Sequence, residues 1–274
     1  KYRGKITDPR WRSVWDWALF IGGFVPALIF GVAVGNALLG APFDLDNTLR
    51  PSYLGNFFGL LSPFALLCGL VSLSMLVVMG ASVLAARTEG ALAERSAQYG
   101  QWAALAAIVL FGLAGLWIAF GIEGYVITSA LVTDQPSNPL AKTVAREVGG
   151  WMANYYAHPW TIIAPALGFA GMAGAAFGIK ARPGALTIVS AALGVFGIVA
   201  TAGLSMFPFL LPSSHNPVAS LTVWDATSSH LTLFIMLIVT AFFMPIILAY
   251  TSWVYKVMSG PVTSKSLGKN PNAY

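Results

Sequence analysis

Asp225 and His230 stand at the head of a run, 226–255, that carries no Asp, Glu, Lys or Arg. A carboxylate and an imidazole placed together can pass a proton near neutral pH, and a histidine at a membrane helix can hold iron. The same stretch has a structural reading. Asp225, Thr227, Ser228 and Ser229 precede an apolar run, where hydroxyls accept from the free N–H groups of a first helical turn and a carboxylate suits the positive end of the helix dipole. Trp224 then falls where an interfacial ring would lie. Capping accounts for each of these residues, with catalysis as the alternative. It leaves His230 neutral and hydrogen-bonded to the loop, since a cation there opposes the dipole.

The remaining residues able to do chemistry are few. His158 and His215, like His230, fall outside or at the edge of the apolar runs, and Met75, Met79, Met172 and Met244 lie within them without a histidine at the same depth. Cys68 is the single cysteine, so no disulfide can form within the chain, and no CxxC or Cys/His metal pattern is present. There is no glycine-rich phosphate loop and no nucleophile elbow. The expectation is a chain with no catalytic residue, metal ligand or haem ligand of its own. A charge at the middle of a bilayer is costly and marks function, yet Asp16 and Glu123 both sit at the ends of apolar runs. That counts against an ion-coupled transporter or permease component, the competing reading.

The elements that would position these residues follow from composition. The chain of 274 residues is 57% hydrophobic and 9% charged, against about a quarter charged in soluble domains. Each charge-free run accommodates the roughly 20 apolar residues that cross a bilayer as a helix. The prediction is an all-α membrane protein with one membrane domain, 1–274, and six transmembrane helices at about 15–39, 54–82, 101–122, 159–179, 184–207 and 231–255. Loops 40–53, 123–158 and 208–230 lie on the outer side. Twelve Lys and Arg fall on the side of the two ends and three (Arg50, Lys142, Arg146) on the other, which predicts cytoplasmic ends and makes the net charge of +5 a topology signal beside anionic lipid, with no nucleic-acid partner.

Small residues at four-residue spacing, Gly23, Ala27, Gly31 and Gly35 in the first span and Ala170, Gly174 and Gly178 in the fourth, with Gly171 and Ala175 beside them, predict stripes of close helix approach. The turn KARPG, 180–184, makes the fourth and fifth spans antiparallel neighbours. Pro26, Pro63, Pro165 and Pro245 are expected to kink their spans. Trp15, Trp17, Trp102, Trp160, Trp253, Tyr53, Tyr250 and Tyr255 read as interfacial anchors. LAKTVAREVGGWMANYY, 140–156, reads as an amphipathic helix lying along the interface.

SLTVWDATSSHLTLFIM followed by PIILAYTSWVYKVM, PRWRSVWDWALFIGGFVPALIFGVAVGN, GNFFGLLSPFALLCGLVS, EGYVITS, SNPL…REVGGW and AGLSMFPFLLPSS together resemble subunit II of cytochrome bd quinol oxidases, over essentially the whole chain. The resemblance implies about three further helices ahead of the first residue, so that this chain corresponds to the C-terminal two thirds of a nine-helix subunit. It implies a multi-pass protein of the prokaryotic cytoplasmic membrane, in a complex that oxidises quinol near the outer face, reduces O2 to water with protons from the cytoplasm, and so builds a proton-motive force. Two b-type haems and one d-type haem belong to subunit I in that family. Subunit II packs against subunit I and lipids, with room for a bound quinone or lipid and for small accessory subunits. The residues expected to matter structurally at the interface or in the scaffold are Asp16, Trp17, Asn36, Asn56, Glu123, Trp224 and Asp225. Asn36 and Asn56 are expected to bridge the outer ends of the first two helices, and Asp225 to govern assembly more than turnover.

Overall fold

The computed structural model describes residues 8–130, 137–181, 184–257 and 260. Lys1, Arg3 and Lys5, the turn residues Arg182 and Pro183, and the tail from 261 lie outside the described residues.

Six helices are long and apolar enough to cross a membrane. They are α1 (Pro9–Leu39), α2 (Pro63–Arg87), α3 (Ala91–Phe120), α5 (Ile163–Ala181, extended by a 3-10 turn over Pro159–Ile162), α6 (Ala185–Met206) and α7 (His230–Val257); the one-turn α4 spans Ala153–Ala157. Between them lie three antiparallel hairpins: β1 (Phe43–Leu45) with β2 (Pro51–Tyr53), β3 (Glu123–Ile127) with β4 (Val144–Val148), and β5 (Phe209–Leu211) with β6 (Leu221–Thr222). All three follow α1, α3 or α6 and precede α2, α5 or α7, so they gather at one end of the bundle, the hairpin end.

Two of the expected prolines act as starters. Pro63 is the first residue of α2, behind the Ser62 cap, where its missing N–H has no partner to lose. Pro165 falls in the first turn of α5. Pro26 and Pro245 are inside their helices, as expected. The second span therefore begins nine residues later than expected. Its stretch 54–62 is a loop with one 3-10 turn, Phe58–Leu60, because the Ser-Pro pair at 62–63 fixes the helix start more firmly than continuous apolarity does. At the other end α3 reaches back to Ala91, through Glu94 and Arg95. Glu94 and Arg95 lie in the opening turns of α3, where a membrane helix meets the headgroup region, so charge marks the span and not the helix.

Helix contacts are set by small residues. A Cβ on Gly31 would strike the Cys68 carbonyl of α2, and one on Gly35 would come within 2.7 Å of the Ala65 Cα. Gly171 faces Gly194, and Gly197 faces Gly168, so α5 and α6 touch backbone to backbone. Gly174 and Gly178 of the expected stripe meet Ser190 and Thr187 at the edge of that seam. Gly23 meets nothing within 4 Å, so α1 follows α2 only over its half nearer the hairpin end. Val71, Val78, Ala104, Ala107, Met172, Ala175, Ala191 and Ile198 close the centre of the bundle. Lipid is as apolar as these side chains, so dispersion at close range, not escape from water, holds them.

One helix stands apart. None of the 28 residues of α7 is buried. At its far end the Arg87 guanidinium donates to the Gly260 carbonyl at 3.3 Å.

Candidate functional site

The densest polar structure in the chain is the cap formed at the hairpin end. It begins with a backbone problem: the last carbonyls of a helix have no partner within the helix. At the end of α1, Gly40 adopts φ +87° and returns its N–H to the Ala37 carbonyl at 3.2 Å, a conformation that costs glycine little. The Tyr125 hydroxyl lies where a Cβ of residue 40 would be and donates to the Leu39 carbonyl at 3.2 Å. The Trp151 indole N–H donates to the Leu38 carbonyl at 3.1 Å. Trp151 is 1% exposed and packs on the rings of Tyr125 and Phe209, with Leu38, Phe64, Ala114, Ile122 and Met206 around them. The end of α6 is closed the same way: Asn154 Nδ2 donates to the Leu204 and Phe207 carbonyls at 2.8 and 2.5 Å, and the Tyr155 hydroxyl lies 2.9 Å from Ser205 Oγ.

Trp151 and Asn154 belong to the stretch expected to be an amphipathic helix. Its first half is instead a 3-10 turn (Pro139–Ala141) and strand β4; after Gly149 come a 3-10 turn, Gly150–Met152, and α4. Nothing in VAREV alternates, but β3 offers a full ladder, Glu123 opposite Val148 through Ile127 opposite Val144. Across that ladder Arg146 pairs with Glu123 at 3.3 Å and lies 5.5 Å above the Tyr125 ring. Burial pushes the Tyr125 and Tyr155 phenols above their ordinary value; for Tyr125 the nearby Arg146 opposes this.

Two short sequences build the junction between the second and third hairpins. Asn138-Pro139-Leu140-Ala141 and Asn216-Pro217-Val218-Ala219 each form a 3-10 turn opened by an Asn whose side chain accepts from the N–H two residues on, at 3.0 and 3.3 Å. The two turns pack on one another. Asn216 also donates to Asp44 at 2.9 Å. That bond, followed by the Leu45 N–H, holds the Asp44 carboxyl below the usual carboxylate range. Ser213 donates to the Phe43 carbonyl, and Ala41 bridges Ser213. The first and third hairpins are thereby joined.

Asp225 completes the cap, but not as a helix cap. Its Oδ1 accepts from the Thr222 N–H at 2.6 Å, and its Oδ2 lies 2.6 Å from Lys142 Nζ, which also donates to the Pro139 carbonyl at 2.7 Å. The pair is enclosed: Lys142 is 6% and Asp225 11% exposed. The first turn of α7 is closed by Ser229, whose hydroxyl accepts from the Thr232 N–H at 3.4 Å. A lysine 83 residues away, the stronger partner for a carboxylate, displaces the local capping role.

The other expected residues are placed as follows. Trp224 stacks edge-on against Phe207 at 5.8 Å, beside Asp225. Asn36 donates to the Val32 carbonyl of its own helix and to the Leu60 carbonyl at 2.8 Å each, which ties α1 to the 3-10 turn before α2 and not to α2 itself. Asn56 makes no bridge to it; its Oδ1 accepts from the Gly59 N–H at 2.7 Å within its own turn. Both line a cavity of about 320 Å3 with Tyr53 and Ser214. Glu123 pairs with Arg146 as above. Asp16 and Trp17 lie on the exposed side of α1, far along the chain from the cap, with Trp17 edge-on to Phe20 at 5.7 Å. Lys142, Tyr125, Trp151, Asn154 and Asn216 were not singled out by sequence reasoning. The repeated Asn-Pro-x-Ala at 138 and 216 was the legible signal for one of them, Asn216.

The residues present do not fit a haem. His158, His215 and His230 are all exposed at the hairpin end, and no cluster of three or more His, Cys, Asp or Glu exists among the described residues. Met172 is filled in against Gly194. A second cavity, of about 430 Å3, is lined by Pro63, Leu66, Leu67, Leu70, Leu113 and Trp117, and neither cavity presents His, Met or Cys.

Six membrane-length helices closed at one end by a hydrogen-bonded cap define an integral membrane protein of the all-α class. The profile of the family described as cytochrome bd terminal oxidase subunit II matches residues 1–258. The chain is 46% identical over 272 residues to cytochrome bd-I ubiquinol oxidase subunit 2 of Escherichia coli K12, covering 99% of this chain and 72% of that protein. It is 47% identical over 274 residues to the probable cytochrome oxidase subunit 2 of Haemophilus influenzae, covering 100% and 72%. It is 22% identical over 265 residues to cytochrome bd ubiquinol oxidase subunit 2 of Bacillus subtilis. The chain belongs to the cytochrome bd oxidase subunit II family, and is a component of an oxidoreductase complex.

Proposed function

We propose that this chain is the haem-free scaffold of a quinol-oxidising, oxygen-reducing membrane complex, and that its work is to hold and seal a haem-bearing subunit I. In this reading the b- and d-type haems sit in the partner. The hairpin end faces outward, as the three Lys and Arg there against twelve at the other end favour. Quinol is oxidised near that face, and protons for oxygen reduction come from the cytoplasm. The observation that carries the reading is α7: an apolar helix of membrane length with no residue buried by its own chain. The partner covers it, lipid or a small accessory subunit taking what the partner leaves. The cavity lined by Asn36, Tyr53, Asn56 and Ser214 offers amide and hydroxyl groups to the head of a bound quinone or lipid. A transporter reading finds no midplane charge to support it and is not favoured by the family.

The test is the visible spectrum of the purified complex. A subunit of similar size should accompany the chain with b- and d-type haem bands. Replacing His158, His215 and His230 together by Ala should leave every band in place. Loss of a band in that variant refutes the haem-free assignment, and a colourless lone polypeptide refutes the oxidase role.

A further inference from the structure

The buried pair Lys142–Asp225 is an odd choice for simple cohesion. Desolvation of two ions offsets their attraction, and apolar residues of similar volume often hold two segments as well or better. What a charged pair adds is one permitted register, a use attested for buried polar groups elsewhere.

The register at stake here is that of α7. The segment before it is fixed at four points: the Val223 N–H on the Pro208 carbonyl at 3.0 Å, the Ala226 N–H on the Thr222 carbonyl at 3.0 Å, and Asp225 on both the Thr222 N–H and Lys142 at 2.6 Å. Four residues separate Asp225 from His230, the start of α7. From there on no residue is buried, and the tie back to the bundle that follows, Arg87 of α2 on the Gly260 carbonyl at 3.3 Å, lies three residues past the far end of α7, so the cap is what fixes its near end. We propose that Lys142 and Asp225 are positioning residues whose ion pair sets the point and direction at which α7 leaves the cap. That α7 then seats the partner subunit rests on the function proposed above; that the pair places α7 does not.

The experiment uses the assembled oxidase with Cys68→Ser as background. Spin labels at Ser252→Cys on α7 and Gln98→Cys on α3 report the separation of the two helices. The variant carries Lys142→Met and Asp225→Leu together, so no buried charge is left unpaired. Positioning predicts an unchanged or raised melting temperature, a distance distribution that loses its single maximum, and roughly tenfold less chain recovered with the haem-bearing partner. A single maximum with unaltered recovery shows that the pair is merely cohesive and overturns the proposal. A fall in melting temperature along with the other two readouts assigns the pair to folding of the cap and overturns it as well. If the distribution broadens as expected while no haem-bearing subunit accompanies even the unaltered chain, the positioning of α7 stands and the oxidase reading alone fails.

Discussion

Trp151 gives the sharpest test of how the cap works, because its two contributions can be removed separately. Trp151→Phe keeps an aromatic ring among Tyr125, Phe209 and Leu38 but deletes the N–H that serves the Leu38 carbonyl. A buried acceptor left without its donor costs about 1–3 kcal/mol. Trp151→Ala loses the ring as well, at a site 1% exposed, where truncation of Trp costs about 3–5 kcal/mol before the unpaired carbonyl is counted. At roughly 2–4 °C per kcal/mol for a domain of about this size, Phe should lower the melting temperature by about 2–12 °C and Ala, with both losses, by about 8–32 °C. Cys68, the single cysteine, reports the melt. It sits in the α1–α2 seam against Gly31 and Gly35, so thiol labelling of this chain, read by mass, follows the parting of those helices. A Phe variant that melts with the unaltered protein would show that the Leu38 carbonyl needs no indole. An Ala variant no worse than Phe would show that the ring packing contributes nothing, and with it the account of the cap would fail.

Three further outcomes follow from the same geometry. Gly171→Val drives a side chain into the Gly194 backbone and should sharply reduce recovery of the folded subunit, whereas Gly203→Val, with nothing within 4 Å of its Cβ, should be tolerated; equal recovery of the two would refute backbone contact between α5 and α6. The Asp44 carboxyl has a folded-state pKa below the unfolded one, so its contribution is complete above about 3.9 and is lost as pH falls through the lower folded value. Acid should therefore loosen the first hairpin from the third, seen as faster proteolysis within 41–53, and Asn216→Leu should remove most of that pH dependence; an undiminished dependence in the variant refutes the link. Tyr125 has the opposite sign: its raised pKa makes its contribution complete below about 10 and lost as pH rises through the folded value, so Tyr125→Phe should lower the melting temperature at neutral pH and flatten its decline in alkali.

Much of the bundle was legible because a membrane imposes one dominant rule. Charge-free length gave all six helices, and four-residue spacing of small residues marked Gly31 and Gly35 for close approach by a helix that the structure identifies as α2. The errors share a cause. Helix ends at 54–62 and 91–100 were set by local chemistry, the Ser62-Pro63 start and tolerance of Glu94 and Arg95 in the headgroup region, to which hydropathy is blind. Residues 140–156 carry a helical period by eye, yet β3 supplies a strand partner that no window on that stretch contains. Asp225 was found and given the wrong partner, because Lys142 lies 83 residues away in sequence and only the meeting of the two Asn-Pro turns brings it near.

The two halves of the molecule are held by different physics, and that division bears on function. Within the bundle, contacts are backbone against backbone at Gly171, Gly194 and Gly197, insensitive to pH and salt and sensitive to a single added methyl group. At the hairpin end, Tyr125, Trp151 and Asn154 close the ends of α1 and α6 by hydrogen bonds, while the Asp44–Asn216 bond and the enclosed Lys142–Asp225 pair tie the three hairpins to one another. The Asp44–Asn216 bond, the two packed Asn-Pro turns and the Lys142–Asp225 pair follow one another from the first hairpin to the segment that precedes α7. If α7 is placed from the cap as proposed above, it can adjust to a partner along the membrane interior without unpacking the core of α1–α6, since none of its residues is buried there.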